Sequence, residues 1–252
     1  MKKIFKTIIV RILQIEARLV LKKYKPKIIA VTGSVGKTST KDAIYEAIST
    51  SFLARKSKKS YNSELGIPLT VLGRETGWNN PFIWISVMIE GLALLLLKNH
   101  YPKWLVIEVG ADRPGDIQKI SKWLKPDIVV VTSFGDVPVH VEFFESAGAV
   151  IKEKSYLVTA LKKDGLLVLN NDDEKSLSMK EKFEGMVMTY GFKKGSAVLS
   201  SHYQIVYKQN TPAGVTFKVD YNGKSIPVTL SGILGKQHIY PALSALAVGG
   251  YL

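Results

Sequence analysis

The chain has 252 residues, no cysteine, and 35 Lys+Arg against 21 Asp+Glu, a formal charge of +14. A hydrophobic content of 46% excludes a disordered chain and supplies a core for one large domain or two small ones, while the lack of Cys excludes a disulfide scaffold, a thiolate metal site and a cysteine nucleophile. The charge is uneven: residues 1–60 hold 15 Lys/Arg and 3 Asp/Glu, a balance of +12, and residues 61–252 hold 20 and 18, a balance of +2. Such a skew fits either a solvated helix face with phosphate-binding lysines or contact with an anionic surface, nucleic acid or membrane headgroups.

Residues 4–21 start apolar but carry Lys6, Arg11, Glu16 and Arg18, and no small-residue cleavage site follows, so they are not a signal peptide. Ile8, Ile12, Ile15 and Leu19 recur at helical spacing. This predicts a basic amphipathic helix over residues 1–25, which packs on the body or lies in a membrane interface. Residues 27–33 form a β-branched run ending in a glycine turn, and residues 37–49 have helical periodicity: strand, loop, helix. Residues 82–97 are almost wholly apolar, interrupted by Glu90 and Gly91. They fall short of the ~20 residues a spanning helix needs, which predicts a buried or monotopic helix. Strand-length runs at 104–109, 127–132, 166–169 and 186–190 alternate with helix-like stretches at 115–124, 143–163 and 174–183. The fold class expected is therefore α/β, a mostly parallel sheet with helices on both faces. Residues 197–230 alternate in polarity around an Asn222-Gly223 hairpin turn, predicting a small antiparallel β layer, and residues 239–252 read as an Ala-rich apolar helix.

The sharpest chemical signal is Thr32-Gly33-Ser34-Val35-Gly36-Lys37-Thr38-Ser39, between a strand and a helix. Glycines let successive N–H groups converge on phosphate oxygens, the helix N-terminus adds its dipole, Lys37 neutralises phosphate charge and Thr38 offers a hydroxyl to Mg²⁺. Val31 holds the place where the usual spacing has its first Gly, so the loop is a compact variant. Glu108, at the carboxyl end of the 104–109 strand, should share the rim of an open parallel sheet with this loop and is a candidate Mg²⁺ ligand. His140 follows the next strand, and Lys152 and Lys154 lie on the helix after it.

Together these motifs resemble the Mur ligase family, ATP-dependent enzymes that join amino acids or peptides to the carboxylate of cell-wall precursors. The resemblance covers roughly residues 27–252. It implies that Gly33, Ser34, Val35, Gly36, Lys37, Thr38 and Ser39 bind nucleotide phosphates, that Glu108 and His140 bind metal, and that Lys154 is the lysine the family carbamylates, giving a ligand for a second Mg²⁺. The segments Tyr61-Asn62-Ser63-Glu64-Leu65-Gly66-Ile67-Pro68 and IEVGADRPGDI look most like the branch that adds D-alanyl-D-alanine, with Asn62 toward the substrate. Folylpolyglutamate synthases share the style of phosphate loop but differ in the glycine pattern after Glu108. Asn170, in Asn170-Asn171-Asp172-Asp173, resembles a nucleotide-site segment, and equally suits a helix cap and turn. Pro241 stands where relatives carry a base-binding Asn, with His238 as a partial substitute.

Relatives carry a UDP-binding domain before this region and a ligase domain after it. The chain is accordingly expected to be a central ATPase domain, 26–252, behind the 1–25 helix, completed by a missing C-terminal domain or partner chain. The expected function is an ATP-dependent carboxylate–amine ligase core working through an acyl phosphate; the alternatives are a non-catalytic nucleotide-binding module, a subunit of a split ligase, or a folylpolyglutamate-synthase-like ligase. ATP, Mg²⁺ and a cell-wall precursor peptide are the expected partners, in the cytoplasm, with peripheral membrane contact through residues 1–25. No aromatic-interleaved basic strand or recognition-helix pattern accompanies the charge, so no nucleic-acid partner is expected.

Overall fold

A computed structural model describes residues 3–58, 61–135 and 143–252. It opens with helix α1 (Lys3–Tyr24), followed by β1 (Lys27–Thr32), α2 (Lys37–Ser49), β2 (Ala54–Lys56), α3 (Gly66–Leu72), α4 (Pro81–Leu96) and β3 (Trp104–Glu108). Next come α5 (Asp116–Leu124), β4 (Ile128–Val131), α6 (Ala147–Thr159), β5 (Leu166–Asn170), α7 (Glu174–Leu177) and β6 (Met186–Gly191). Strands β7 (Val198–Lys208), β8 (Thr211–Tyr221) and β9 (Lys224–Ser231), then helix α8 (Ile239–Tyr251), complete the described elements.

The nine described strands form one sheet, in the order β2-β3-β1-β4-β5-β6-β7-β8-β9. Pairing is parallel from β2 to β7 and antiparallel from β7 to β9. The antiparallel strands thus extend the edge of the parallel sheet instead of forming a separate layer. Their turn is as expected: Asn222 (φ 50°) and Gly223 (φ 73°) both adopt the left-handed backbone that a two-residue hairpin needs. Alternate residues of each buried strand feed two cores. Ile28 and Ala30 of β1 join α1, α3, α4, α5 and α6 on one face, whereas Ile29 and Val31 join α2 and α8 on the other. Both faces are covered, which is why the parallel strands read as continuous apolar runs.

The local sequence explains several boundaries. Helix α4 begins where the Asn80 side chain accepts hydrogen bonds from the N–H groups of Phe82 (2.9 Å) and Ile83 (3.4 Å), with Pro81 in the first turn. Ser146 caps α6, so that helix is shorter than the 143–163 stretch. The 174–183 stretch splits into α7 and a 3₁₀ turn at Ser178–Lys182. Strand β2 and helix α3 were not expected from the sequence, since a three-residue Ala-Arg-Lys strand and a seven-residue helix opening with Gly-Ile-Pro carry little periodic signal.

Helix α1 corrects an expectation. It packs on the body, but through Ile9, Leu13, Ala17 and Val20, all buried in the core shared with α3 and α4. Ile8, Ile15 and Leu19, the stripe read from the sequence, point outward. Helix α4 likewise is not fully buried: Trp84, Val87 and Gly91 face inward while Phe82, Ile83, Ile85, Ile89, Leu92 and Leu96 are exposed. No described helix is long and apolar enough to cross a membrane.

Candidate active site

Register brings the chemistry to one rim. Val31 pairs with Glu108 and Thr32 with Val131, so the carboxyl ends of β1, β3 and β4 stop level and the chain leaves each toward the same side. Gly33 (φ 137°) turns the chain away from β1, and a Cβ there would lie 2.0 Å from Thr132 Oγ1. Only glycine fits. The Ser34 and Val35 N–H groups donate to the Ser133 carbonyl (2.8 and 3.0 Å), and Thr132 Oγ1 donates to the Val35 carbonyl (2.7 Å). The β4 end thereby braces the loop from beside it. Gly36 (φ 81°) starts α2 with no side-chain cap and no acid in the first turn, leaving the helix N-terminus open for an anion.

At the centre of the rim lies Glu108, 1% exposed. It accepts hydrogen bonds from Thr38 Oγ1 (2.8 Å) and Asn62 Nδ2 (2.9 Å). Asn62 is itself held close because Gly110 donates its N–H to the Asn62 carbonyl (2.9 Å), and a Cβ on Gly110 would crowd the Asn62 amide at 3.0 Å. Lys37 Nζ donates to the Ser34 carbonyl (3.1 Å). Its ammonium is pushed below its usual pKa by burial, against the opposing pull of Glu108 and Asp112. Lys154, on α6, is buried in the same field: desolvation, then the Lys37 cation, lower it to about 7 despite nearby Glu153, Asp112 and Glu108. Burial thus favours the neutral amine of Lys154 over its ammonium.

Glu153, which the sequence reading passed over, explains how Lys154 is held there. Its buried carboxylate accepts from the N–H groups of Gly115 (2.9 Å), Ile117 (2.7 Å) and Gln118 (3.1 Å), capping α5 from a neighbouring helix. The only signal was a helix start at Gly115 with no local capping side chain. A charge so capped suits a helix N-terminus.

The remaining expected residues stand apart from this cluster. Asn170 is buried in its own turn, its side-chain oxygen accepting the Asp172 N–H (3.0 Å), while Asp173 caps α7 and binds Ser133 Oγ (2.6 Å) and the Phe134 N–H (2.7 Å). Asp172 accepts from Tyr240 (2.9 Å) at the start of α8. These contacts join the β5 loop to the phosphate loop through Ser133 on one side and to α8 on the other. His238 is exposed in the 3₁₀ turn before α8, and Pro241 sits in the first turn of α8, where a missing N–H costs no helical bond. Among the described residues no group of three or more His, Asp and Glu is placed to hold a metal. His140 lies outside the described residues.

The Mur ligase middle domain matches residues 89–249. The chain belongs to the Mur ligase family. This Mur ligase domain is 28% identical over 240 residues, 95% of its length and 44% of the relative's, to the UDP-N-acetylmuramoyl-tripeptide--D-alanyl-D-alanine ligase of Bacillus subtilis (strain 168). Its fold is similar to that of a MurF ligase from Thermotoga maritima solved in complex with ADP (TM-score 0.73, 20% identity, 96% of this chain and 49% of that one). It is similar as well to an L. casei FPGS structure (TM-score 0.62, 13% identity, 96% of this chain and 62% of that one). The Mur ligase domain therefore spans less than half the length of the first curated relatives it matches.

Proposed function

We propose that this domain is the ATP-binding core of a carboxylate–amine ligase in peptidoglycan precursor synthesis, activating the carboxylate of a UDP-MurNAc-peptide as an acyl phosphate that D-Ala-D-Ala then attacks. The observation that carries this reading is the convergence of Lys37, Thr38, Glu108 and Lys154 on one rim beside an uncapped helix N-terminus. The N–H groups of Lys37, Thr38 and Ser39 are free of side-chain caps and face the anion position, and Ser34 Oγ is buried without a partner, a donor left for a phosphate oxygen.

The residues fit Mg²⁺ in part. Glu108 and Thr38 supply the carboxylate and hydroxyl that hard cations prefer, and Asn62 keeps the carboxylate in place. Bound there, Mg²⁺ supplies charge neutralisation on the transferring phosphoryl group. Lys37 adds its cation at the same position. Phosphoryl transfer needs positioning and charge more than acid–base chemistry, which suits a rim where Lys37, Thr38 and Glu108 are already held by hydrogen bonds. A neutral Lys154 is competent to add to carbon dioxide, forming an N–C bond and releasing a proton; the carbamate then carries a negative charge suited, with His140, to a second cation. Asn170 and His238 are the proposed lining toward the nucleoside.

Calorimetry tests the site. Lys37→Ala should weaken Mg-ATP binding by at least about 100-fold, the loss of a buried charge-assisted contact. Equal binding by wild type and variant overturns the assignment. Carbon-13 NMR in labelled bicarbonate should show a carbamate signal that Lys154→Ala removes, and no such signal would overturn that role for Lys154.

A further inference from the structure

Helices α1 and α4 lie side by side, and their seam is visible in two contacts. Glu16 sits over Gly91, where a Cβ would come within 2.3 Å of its carboxylate, and Lys23 Nζ donates to the carbonyls of Leu94 (2.8 Å), Leu95 (2.9 Å) and Leu97 (2.6 Å). Beside this seam each helix leaves an apolar stripe outside the core. On α1 it is Ile8, Ile15 and Leu19; on α4 it is Phe82, Ile85, Ile89, Leu92 and Leu96, alternating three and four residues apart. These side chains are 46% to 79% exposed. At roughly 100° per residue the α1 stripe falls between the seam and a line of exposed cations, Arg11, Arg18 and Lys22, and the α4 stripe falls opposite Val87. The two stripes therefore form one apolar strip bordered by positive charge.

The charge chooses the occupant. Helices α1 and α4 carry two acids between them, and neither opposes the cations: Glu16 is turned into the seam, and Glu90 is paired with Arg74. Trp78, 76% exposed at the approach to α4, adds an indole of the kind that settles at lipid headgroups. Neither helix is suited to cross a bilayer, so a lipid contact runs along the surface. We propose that the α1–α4 face lies in the interface of an anionic phospholipid membrane, with the apolar strip among the acyl chains and Arg11, Arg18 and Lys22 among the phosphates. This inference stands apart from the ligase reading.

The full chain should pellet with vesicles of phosphatidylglycerol and phosphatidylcholine, and about tenfold or more weakly with phosphatidylcholine alone or in high salt. The double substitution Ile85→Glu with Ile89→Glu should abolish pelleting while leaving Mg-ATP binding and the melting curve unchanged, because both side chains face solvent. Brominated lipid should quench part of the tryptophan emission, and Trp78→Phe should remove that part; this reading holds even if the double variant folds poorly. Pelleting unaffected by the substitutions, or quenching unaffected by Trp78→Phe, overturns the proposal. So does an absence of vesicle binding together with a concentration-dependent dimer that the same substitutions dissolve, which would assign the face to a second copy of the chain.

Discussion

The phosphate rim and the α1–α4 face use opposite rules of burial. At the rim, carboxylates are drawn out of water and given partners: Glu108 has Thr38 and Asn62, Glu153 has three N–H groups, and Asp173 has Ser133 and Phe134. On the α1–α4 face, apolar groups are left in water with nothing of the described chain over them. A buried charge without a partner costs several kcal/mol, so a folded rim of this kind is already organised for its ligand. Exposed apolar surface costs less per residue and becomes favourable only when something covers it. The first region is built by the fold, and the second is completed by whatever meets it.

The comparison breaks first at the loop. Gly33→Ala should destabilise the fold by about 2–4 kcal/mol and remove Mg-ATP binding, because the added methyl collides with Thr132 Oγ1 at a backbone angle only glycine tolerates. A denaturant midpoint and a nucleotide titration on the same preparation read both effects; an unchanged midpoint would mean that Thr132 moves away freely.

The two stripes of α1 give a sharper internal contrast. Leu13→Ala should cost about 2–5 kcal/mol, a cavity in the core, whereas Ile15→Ala, two residues on, should cost under about 0.5 kcal/mol. Similar losses in the two denaturation curves would reverse the assignment of inner and outer faces.

The smallest effect concerns Glu16, whose carboxyl is raised to about 7 by desolvation and whose Oε2 is buried without a hydrogen-bond partner. A raised carboxyl pKa means the native state binds a proton that the unfolded chain releases near 4.5, so stability is fully present below about 4.5 and falls as pH rises through 7. Glu16→Gln should match wild type in acid and exceed it by about 1 kcal/mol above pH 7, after allowance for solvent screening of a partly exposed group. Melting temperatures across pH 4 to 8 check the sign.

Much of the site was legible because its chemistry is local. Gly33 to Ser39 form a contiguous loop, and Glu108 ends an apolar strand, so residue type and position along the chain were enough to align them with a known family. Glu153 was missed because its role is to cap a helix 35 to 38 residues away, an arrangement that no local spacing encodes. Asn170 and His238 were suggested by motif, but both stand apart from that cluster, and the loop that holds Asn170 is tied to its neighbours by Asp173 with Ser133 and Asp172 with Tyr240, contacts between distant segments.

The same division runs through the whole chain. By itself the sequence determined that residues 27–190 form alternating strands and helices, that Asn222-Gly223 turns a hairpin, and that a glycine loop opens α2, because strand burial and turn angles each act over a few residues. Only the tertiary structure decided which stripe of α1 is inside. Ile8, Ile12, Ile15 and Leu19 have the same helical period as Ile9, Leu13, Ala17 and Val20. A helix apolar on more than one side is oriented by the shape of its neighbours, here α3 and α4, and that shape exists only once distant segments have packed.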